Sequence, residues 1–174
     1  MTMENLSRRI NQFDNKSDAR NLYLTLSAIY KRLGNVALTI PTLLTAGTTT
    51  KVKSTTDFYG FINGILVKKA ATDNLITLTT ASNCTNALFN VTMFTISSAG
   101  TITNRAGTAG ATYAAITWPV LPIDEAIFGM MLINPTGTGD FIGGTTPVND
   151  VTVVPNAVFI SPLSALSFSA IANL

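Results

Sequence analysis

The side chains that could carry out chemistry in this chain are one cysteine and a few carboxylates, because the 174 residues contain no histidine. Without histidine, neither the Ser-His nor the Cys-His arrangement for nucleophilic catalysis can be built. Cys84 therefore has no imidazole base, and we expect it to be a small buried apolar residue. A lone cysteine also cannot form a disulfide within the chain, so the fold does not depend on an oxidising compartment.

Five acidic residues follow position 70 and are the remaining candidates for acid–base catalysis: Asp73, Asp124, Glu125, Asp140 and Asp150. Asp124 and Glu125 are adjacent, so in a strand their side chains would point to opposite faces. Asp140 and Asp150 occur in turn-like contexts, where Asp is favoured for local backbone hydrogen bonds. The usual ligands of zinc and copper and the repeated oxygen ligands of calcium are missing. The sequence therefore predicts no enzyme activity, no metal and no cofactor.

The composition points to a protein that works within an assembly. Charged residues make up 11% of the chain and hydrophobic residues 47%, whereas about 25% of a typical soluble domain is charged. Threonine, which favours strands, is the commonest residue. Low charge weakens the protection against association, so we expect part of the surface to be covered by neighbours. A threonine-rich β-domain that is merely soluble is the alternative.

Nucleic acid and membrane are not predicted as partners. Residues 1–69 contain ten Lys/Arg and four Asp/Glu, while residues 70–174 contain one basic residue, Arg105, and five acids. The basic residues of the first part are spread out with acids between them, which is typical of a solvated helix face and not of a phosphate-binding patch. No run reaches the roughly 18 apolar residues of a membrane span. Residues 1–33 show no secretory signal.

A helical arm and connector are predicted over residues 1–46. Leu22, Leu26, Ile29 and Leu33 recur with helical spacing, after a capping serine and before a glycine. We predict that this stripe binds a partner. The alternative is a helix that packs on its own β-domain.

A β-sandwich or jelly-roll-like barrel is predicted over residues 47–174. Residues 88–96 carry bulky apolar groups on both faces, which is typical of a strand buried on both sides. Asn-Gly at 63–64 separates two apolar runs, 58–62 and 65–69, which are predicted as strands, and it is the strongest short hairpin signal. Residues 48–54 are predicted as a polar edge strand, and residues 126–133 as a second core strand. Several short strands between Gly, Asn and Pro turns favour a sandwich or barrel.

Residues 162–174 form an apolar tail with no charged side chain. They include Leu163, Leu166, Phe168, Ile171 and Leu174. In a monomer such a tail would be exposed and prone to association. We expect it to be either a last strand or an interface.

The order of motifs after residue 97 resembles a known family. Ser-Ala-Gly-Thr-Ile-Thr-Asn at 98–104 precedes a Gly/Ala loop, Val-Leu-Pro at 120–122, Ala-Ile-Phe-Gly at 126–129 and Phe-Ile-Gly-Gly-Thr-Thr at 141–146. With Ile-Asn-Gly at 62–64, this resembles the β-domain of tailed-bacteriophage virion proteins over residues 57–160.

The resemblance implies a capsid decoration (cement) protein, a homotrimer that binds the major capsid protein. Such a protein is made in the host cytoplasm and resides on the capsid surface of the virion. It works through surfaces, so no functional residue is carried over. A receptor- or glycan-binding module of a phage tail or fibre is the alternative. Trp118 and Tyr113 are its clustered aromatic candidates, although Pro119 beside Trp118 suits a packed corner equally well.

Overall fold

The computed structural model describes Arg20, Asn21, Leu24 and residues 34–45, 50–136 and 138–160. The predicted stripe of the arm, Leu22, Leu26, Ile29 and Leu33, lies outside the described residues. Residues 161–174, which include the apolar tail 162–174, also lie outside them. The helical arm therefore stays a prediction, and so does the expectation that the tail is a last strand or an interface.

The described residues form a mainly β protein with three antiparallel sheets. The strands are β1 (Val36–Ala37), β2 (Leu43–Thr45), β3 (Lys51–Ser54), β4 (Phe58–Ile62), β5 (Ile65–Lys69), β6 (Thr72–Thr77), β7 (Asn90–Ser97), β8 (Ile102–Ala106), β9 (Glu125–Ile133) and β10 (Val158–Ile160). Short 3₁₀ turns occur at Thr80–Ser82 and Tyr113–Ala115. Sheet I has the strand order β1-β4-β5, sheet II the order β10-β9-β7-β8, and sheet III the order β2-β3-β6.

Strand β7 lies between β8 and β9 in sheet II and confirms the buried strand predicted from residues 88–96. Every residue from Asn90 to Ile96 is buried. Phe94 and Ile96 belong to the main core, whereas Val91 belongs to a second apolar cluster. Because a strand presents alternate residues to opposite faces, sheet II is covered on both of its faces.

The hairpin predicted at Asn63-Gly64 is also confirmed. Asn63 and Gly64, with φ angles of 53° and 80°, join β4 to β5. Positive φ at both central residues is what the turns best suited to two-residue hairpins require. Gly100, with φ of 75°, lies in the turn between β7 and β8.

The prediction that residues 48–54 form an edge strand is wrong. Strand β3 pairs with β2 on one side and β6 on the other, so it is central in sheet III. The edges of sheet III are β2 and β6, and β2, which comes from the predicted connector, is three residues long. Strand β1, from the same connector, pairs with β4 in sheet I. The division at residue 46 remains a prediction, but residues 36–45 contribute strands to two sheets.

Strand β9 carries a bulge that changes which residues face the core. Phe94 is opposite Gly129, but Thr95 is opposite Ile127, which leaves Phe128 without a partner in the ladder. The extra residue shifts the alternation of the strand. Met131 and Ile133 on one side of the bulge, and Phe128 on it, all enter the main core.

Phe128 lies where the sheets meet. Its ring is 4.7 Å, centroid to centroid, from that of Phe58 on β4 and 6.3 Å from that of Phe94 on β7. The adjacent Gly129 leaves no room for a side chain, because a Cβ there would collide with Leu43 of β2. Sheets I and III thus both pack against the centre of sheet II.

Candidate interaction surface

The outer face of sheet I is apolar, although an antiparallel sheet with one face in solvent is usually polar on that face. Phe61 on β4 is directly opposite Val36 on β1 and Leu66 on β5. Residues directly opposite each other share a face of the sheet. Val36, Phe61 and Leu66 therefore form one row across three strands, called the apolar row below. They are 45%, 40% and 61% exposed.

A charged pair borders the apolar row. The next cross-strand pair on the same face of β4 and β5 is Tyr59 and Lys68. The Lys68 ammonium lies 5.9 Å from the centre of the Tyr59 ring. Lys68 Nζ is also 2.8 Å from Asp57 Oδ2. The hydrogen bond from Lys68 lowers the pKa of Asp57, and the same bond raises the pKa of Lys68. An apolar centre with a charged rim is the usual anatomy of a protein interface.

The sequence did not single out the apolar row. The runs 58–62 and 65–69 were predicted as strands, and they are strands with those bounds. Both runs are apolar at consecutive positions, so their periodicity does not show which residues face inward. Apolar residues on both faces of these runs were the available signal of an apolar outer face.

Cys84 has the buried position expected from the sequence. It is 2% exposed, and burial, with a contribution from Asp140, raises the pKa of its thiol to about 11. At neutral pH the thiol is therefore protonated, and a protonated thiol is a poor nucleophile.

The acidic residues do not come together as a catalytic pair. Asp150 accepts backbone hydrogen bonds from Thr152 and Val153, as expected of Asp in a turn. Asp140 instead accepts from the backbone N–H of Asn86 and fastens a distant loop. In the part of the chain that the structure describes, no group of three or more Cys, Asp or Glu residues could hold a metal ion.

Glu125 takes part in a polar cluster on the outer face of sheet II that sequence reasoning missed. Arg105 on β8 donates from Nη2 to Glu125 Oε1 at 2.6 Å and from Nε to Oε2 at 3.1 Å, and the Thr95 hydroxyl donates to Oε2. Burial raises the pKa of Glu125, but these hydrogen bonds and the charge of Arg105 outweigh it, so the pKa lies below its ordinary value. A carboxylate held in this way is a structural anion. The one available signal was that Arg105 is the only basic residue after position 70.

A loop over residues 107–118 covers the rest of that outer face. Thr108 and Thr117 exchange backbone hydrogen bonds of 2.9 and 3.1 Å, and Gly107 N–H donates to the carbonyl of Val91. Ile116 is buried against the second apolar cluster, which includes Met130. A loop of the same chain thus covers this part of the outer face of sheet II.

The two aromatic candidates for glycan binding lie on or beside this loop. The Tyr113 ring centre is 4.1 Å from that of Phe89. Tyr113 is 49% exposed and Trp118 is 56% exposed. Both residues are therefore open to solvent over about half of their surface, and exposed aromatic residues are what the alternative function requires.

Likeness to known proteins gives no guidance on this surface. No protein family, characterised protein or solved structure that was compared with the chain matches it. Among the described residues, no helix is long and apolar enough to cross a membrane. The apolar row is the surface feature on which a function can be based, because its three exposed apolar side chains lie opposite one another across sheet I.

Proposed function

We propose that this chain is a non-enzymatic structural protein of a virion, a capsid decoration or cement protein that stabilises the major capsid shell. The observation that supports the proposal most is the apolar row on the outward face of sheet I. The motif order that resembles tailed-phage virion proteins and the low charge support it further. As part of the proposal, the sheets enclose the main core as a β-sandwich or jelly-roll-like barrel.

The apolar row is the centre of the contact between copies of the chain in a homotrimer. Complete burial of a fully exposed side chain of this kind contributes roughly 1.5–3 kcal/mol. The three residues of the row are already about half-buried, so covering them contributes about 2–4 kcal/mol toward an association cost of about 4–15 kcal/mol. The row therefore needs further contacts around it, and the exposed Leu38, whose N–H bonds to the carbonyl of Tyr59, is one available neighbour. Three copies related by rotation match a local threefold axis of a shell.

The arm supplies the contact with the major capsid protein through Leu22, Leu26, Ile29 and Leu33. Asn35 directly precedes β1, and Val36 of β1 belongs to the apolar row, so the helical part of the arm is joined to the domain beside that row. The capsid contact and the contact between copies would then lie on neighbouring parts of the molecule.

The test is a double substitution, Phe61→Ser with Leu66→Ser. We expect the wild-type chain to be a trimer by light scattering and to sediment with shells of the phage that encodes it. The double variant should be a folded monomer that sediments with shells poorly, because it loses the avidity of three joined copies.

Val120→Ser is the matched control, since Val120 is 80% exposed and lies outside the apolar row. It should leave both the trimer and shell binding intact. A wild-type monomer at high concentration that binds no shells would refute the decoration function. A double variant that stays trimeric would refute only the role of the row.

The second candidate is a glycan-binding module of a tail or fibre, and the exposure of Trp118 and Tyr113 favours it. Stacking on a sugar requires an exposed aromatic face next to polar groups. Saturable binding on a glycan array that is abolished by Trp118→Ala would establish this function. Trp118→Ala should not change any binding of the chain to shells.

A further inference from the structure

A groove of about 250 Å³ lies between two sheets and is lined mostly by apolar side chains. Ile40, Pro41 and Leu43 line one side, and Phe128, Phe159 and Ile160 line the other. An apolar cavity of about 150 Å³ is large enough to hold a benzene molecule. The groove therefore has room for one or two large side chains.

Both walls of the groove are sheet edges. Among the described strands, β2 pairs with β3 alone and β10 pairs with β9 alone. Each strand thus leaves one row of backbone N–H and C=O groups unpaired within the described residues. An unpaired edge beside an apolar groove is the geometry that accepts an added strand, with main-chain bonds along the edge and alternate side chains in the groove.

Ile160, the last described residue before the apolar tail, is itself part of the groove lining. The described part of the chain therefore ends at the groove. From 164 to 169 its sequence is Ser-Ala-Leu-Ser-Phe-Ser. Leu166 and Phe168 would share one face of a strand, while Ala165, Ser167 and Ser169 would share the other. This alternation is typical of a strand with one face buried.

We propose that residues 165–169 of the same chain add to the free edge of β10 as an antiparallel strand and place Leu166 and Phe168 in the groove. Residues 161–164 then form a four-residue loop, with Ser161 and Pro162 at the first two positions of a turn, where Ser and Pro are favoured. In this register Leu166 lies opposite Phe159, a groove residue, and Ser167 lies opposite Val158, which is exposed. The inference does not depend on the proposed function.

The first test compares the two faces of the added strand. Leu166→Ala should lower the melting temperature by at least about 5 °C, because it empties part of the groove. Ser167→Ala, on the opposite face, should change it by less than about 1 °C. Equal effects of the two substitutions would overturn the proposed orientation.

The second test identifies the occupant of the groove. Thr42 is exposed beside the groove, so a nitroxide can be attached in a Thr42→Cys variant, while Cys84 is buried and protonated. In a uniformly ¹⁵N-labelled, spin-labelled sample, the amide signals of residues 165–169 should be broadened. In a mixture of ¹⁵N-labelled wild-type chains with unlabelled, spin-labelled chains, they should stay sharp.

Each other outcome of this second test would overturn the proposal. Broadening that is equally strong in the mixture would show that the groove holds the tail of a neighbouring copy. Sharp signals in both samples would show that the groove does not hold the tail. Amide hydrogen exchange in residues 165–169 as fast as in an unstructured peptide would rule out the added strand.

Discussion

Sheets I and II both have apolar outer faces, but described residues cover only the outer face of sheet II. The outer face of sheet II carries Val91 and Met130 and is covered by the loop over residues 107–118. The outer face of sheet I carries the apolar row, which no described segment covers, and its three residues are at least 40% exposed. One chain thus shows both solutions for an apolar sheet face. It is covered by a loop of the same chain, or it stays exposed among the described residues.

The difference has a physical reason in the connections. Sheet II receives a long connection between β8 and β9, and that connection has a buried residue, Ile116, to fasten it. Sheet I is joined by the two-residue turn Asn63-Gly64, which is too short to fold back over its own strands. An exposed apolar face is therefore expected wherever hairpins are tight and no neighbouring loop is long.

The largest expected effect comes from placing a charge on each face in turn. Ile116→Asp should lower the free energy of unfolding by at least about 3 kcal/mol, because it buries an unpaired carboxylate beneath the loop. Leu66→Asp should change it by no more than about 0.5 kcal/mol. Urea unfolding should be measured at a dilution at which light scattering shows monomers, since association would add to apparent stability. A similar loss in both variants would mean that the outer face of sheet I is also covered.

The loop itself can be displaced by one methyl group added at its first residue, Gly107. A Cβ on Gly107 would collide with the backbone carbonyl of Thr117, so Gly107→Ala should cost about 2–3 kcal/mol. Gly139→Ala is the control, because nothing lies within 4 Å of that position. Trp118, the only tryptophan, should change its fluorescence in the first variant alone. An unchanged spectrum together with full stability would mean that the loop does not hold the position described.

The polar end of the outer face of sheet II should make stability depend on pH. The pKa of Glu125 in the folded chain lies below the ordinary value of 4.5. Its contribution is therefore complete above about pH 5 and is lost as the pH falls through the folded-state pKa. Glu125→Gln should cost about 1–2 kcal/mol at pH 7, and the difference from wild type should shrink in acid.

Asp124→Asn, a neutralised exposed neighbour, should show no such convergence with wild type. A Glu125→Gln variant whose deficit stays constant from pH 7 to pH 3 would contradict the ionic role of Glu125. The measurement is chemical unfolding at a series of pH values.

The smallest effects are expected from substitutions on the two opposite faces of β7. The Thr92 hydroxyl is buried and has no hydrogen-bond partner in the part of the chain that the structure describes, so Thr92→Val should raise stability by about 1 kcal/mol. Thr95→Val should lower it by a similar amount, because the Thr95 hydroxyl donates to Glu125. Calorimetry on both variants would check the opposite signs. Destabilisation by Thr92→Val would indicate a partner for that hydroxyl.

Features that depend on local chemistry could be predicted from the sequence. The hairpin of β4 and β5 has the predicted bounds because Asn63 and Gly64 adopt the positive φ angles that their residue types favour. The buried strand β7 was predictable because bulky residues occur on both of its faces. In both cases the signal lies within about ten residues.

Features that depend on distant partners could not be predicted. The central position of β3 depends on β2, a strand of three residues, which is too short to show a period. The pairing of Arg105 with Glu125 depends on the register of three strands and on the loop between them. The apolar row became visible only when the pairing placed Val36, Phe61 and Leu66 on one face.

The bulge at Phe128 also bears on how the chain tolerates insertions and deletions. Loss of a single codon within a loop usually alters only its length, and loss of Phe128, the residue without a ladder partner, would leave a regular ladder in which Gly129 stays opposite Phe94 and Ile127 stays opposite Thr95. Ala126 would stay in the core and Glu125 would stay beside Arg105, so that only the Phe128 ring would be lost from the core. A homologous chain with one residue fewer at the bulge could therefore keep the ion pair, whereas a deletion elsewhere in a strand without a bulge would turn part of that strand over.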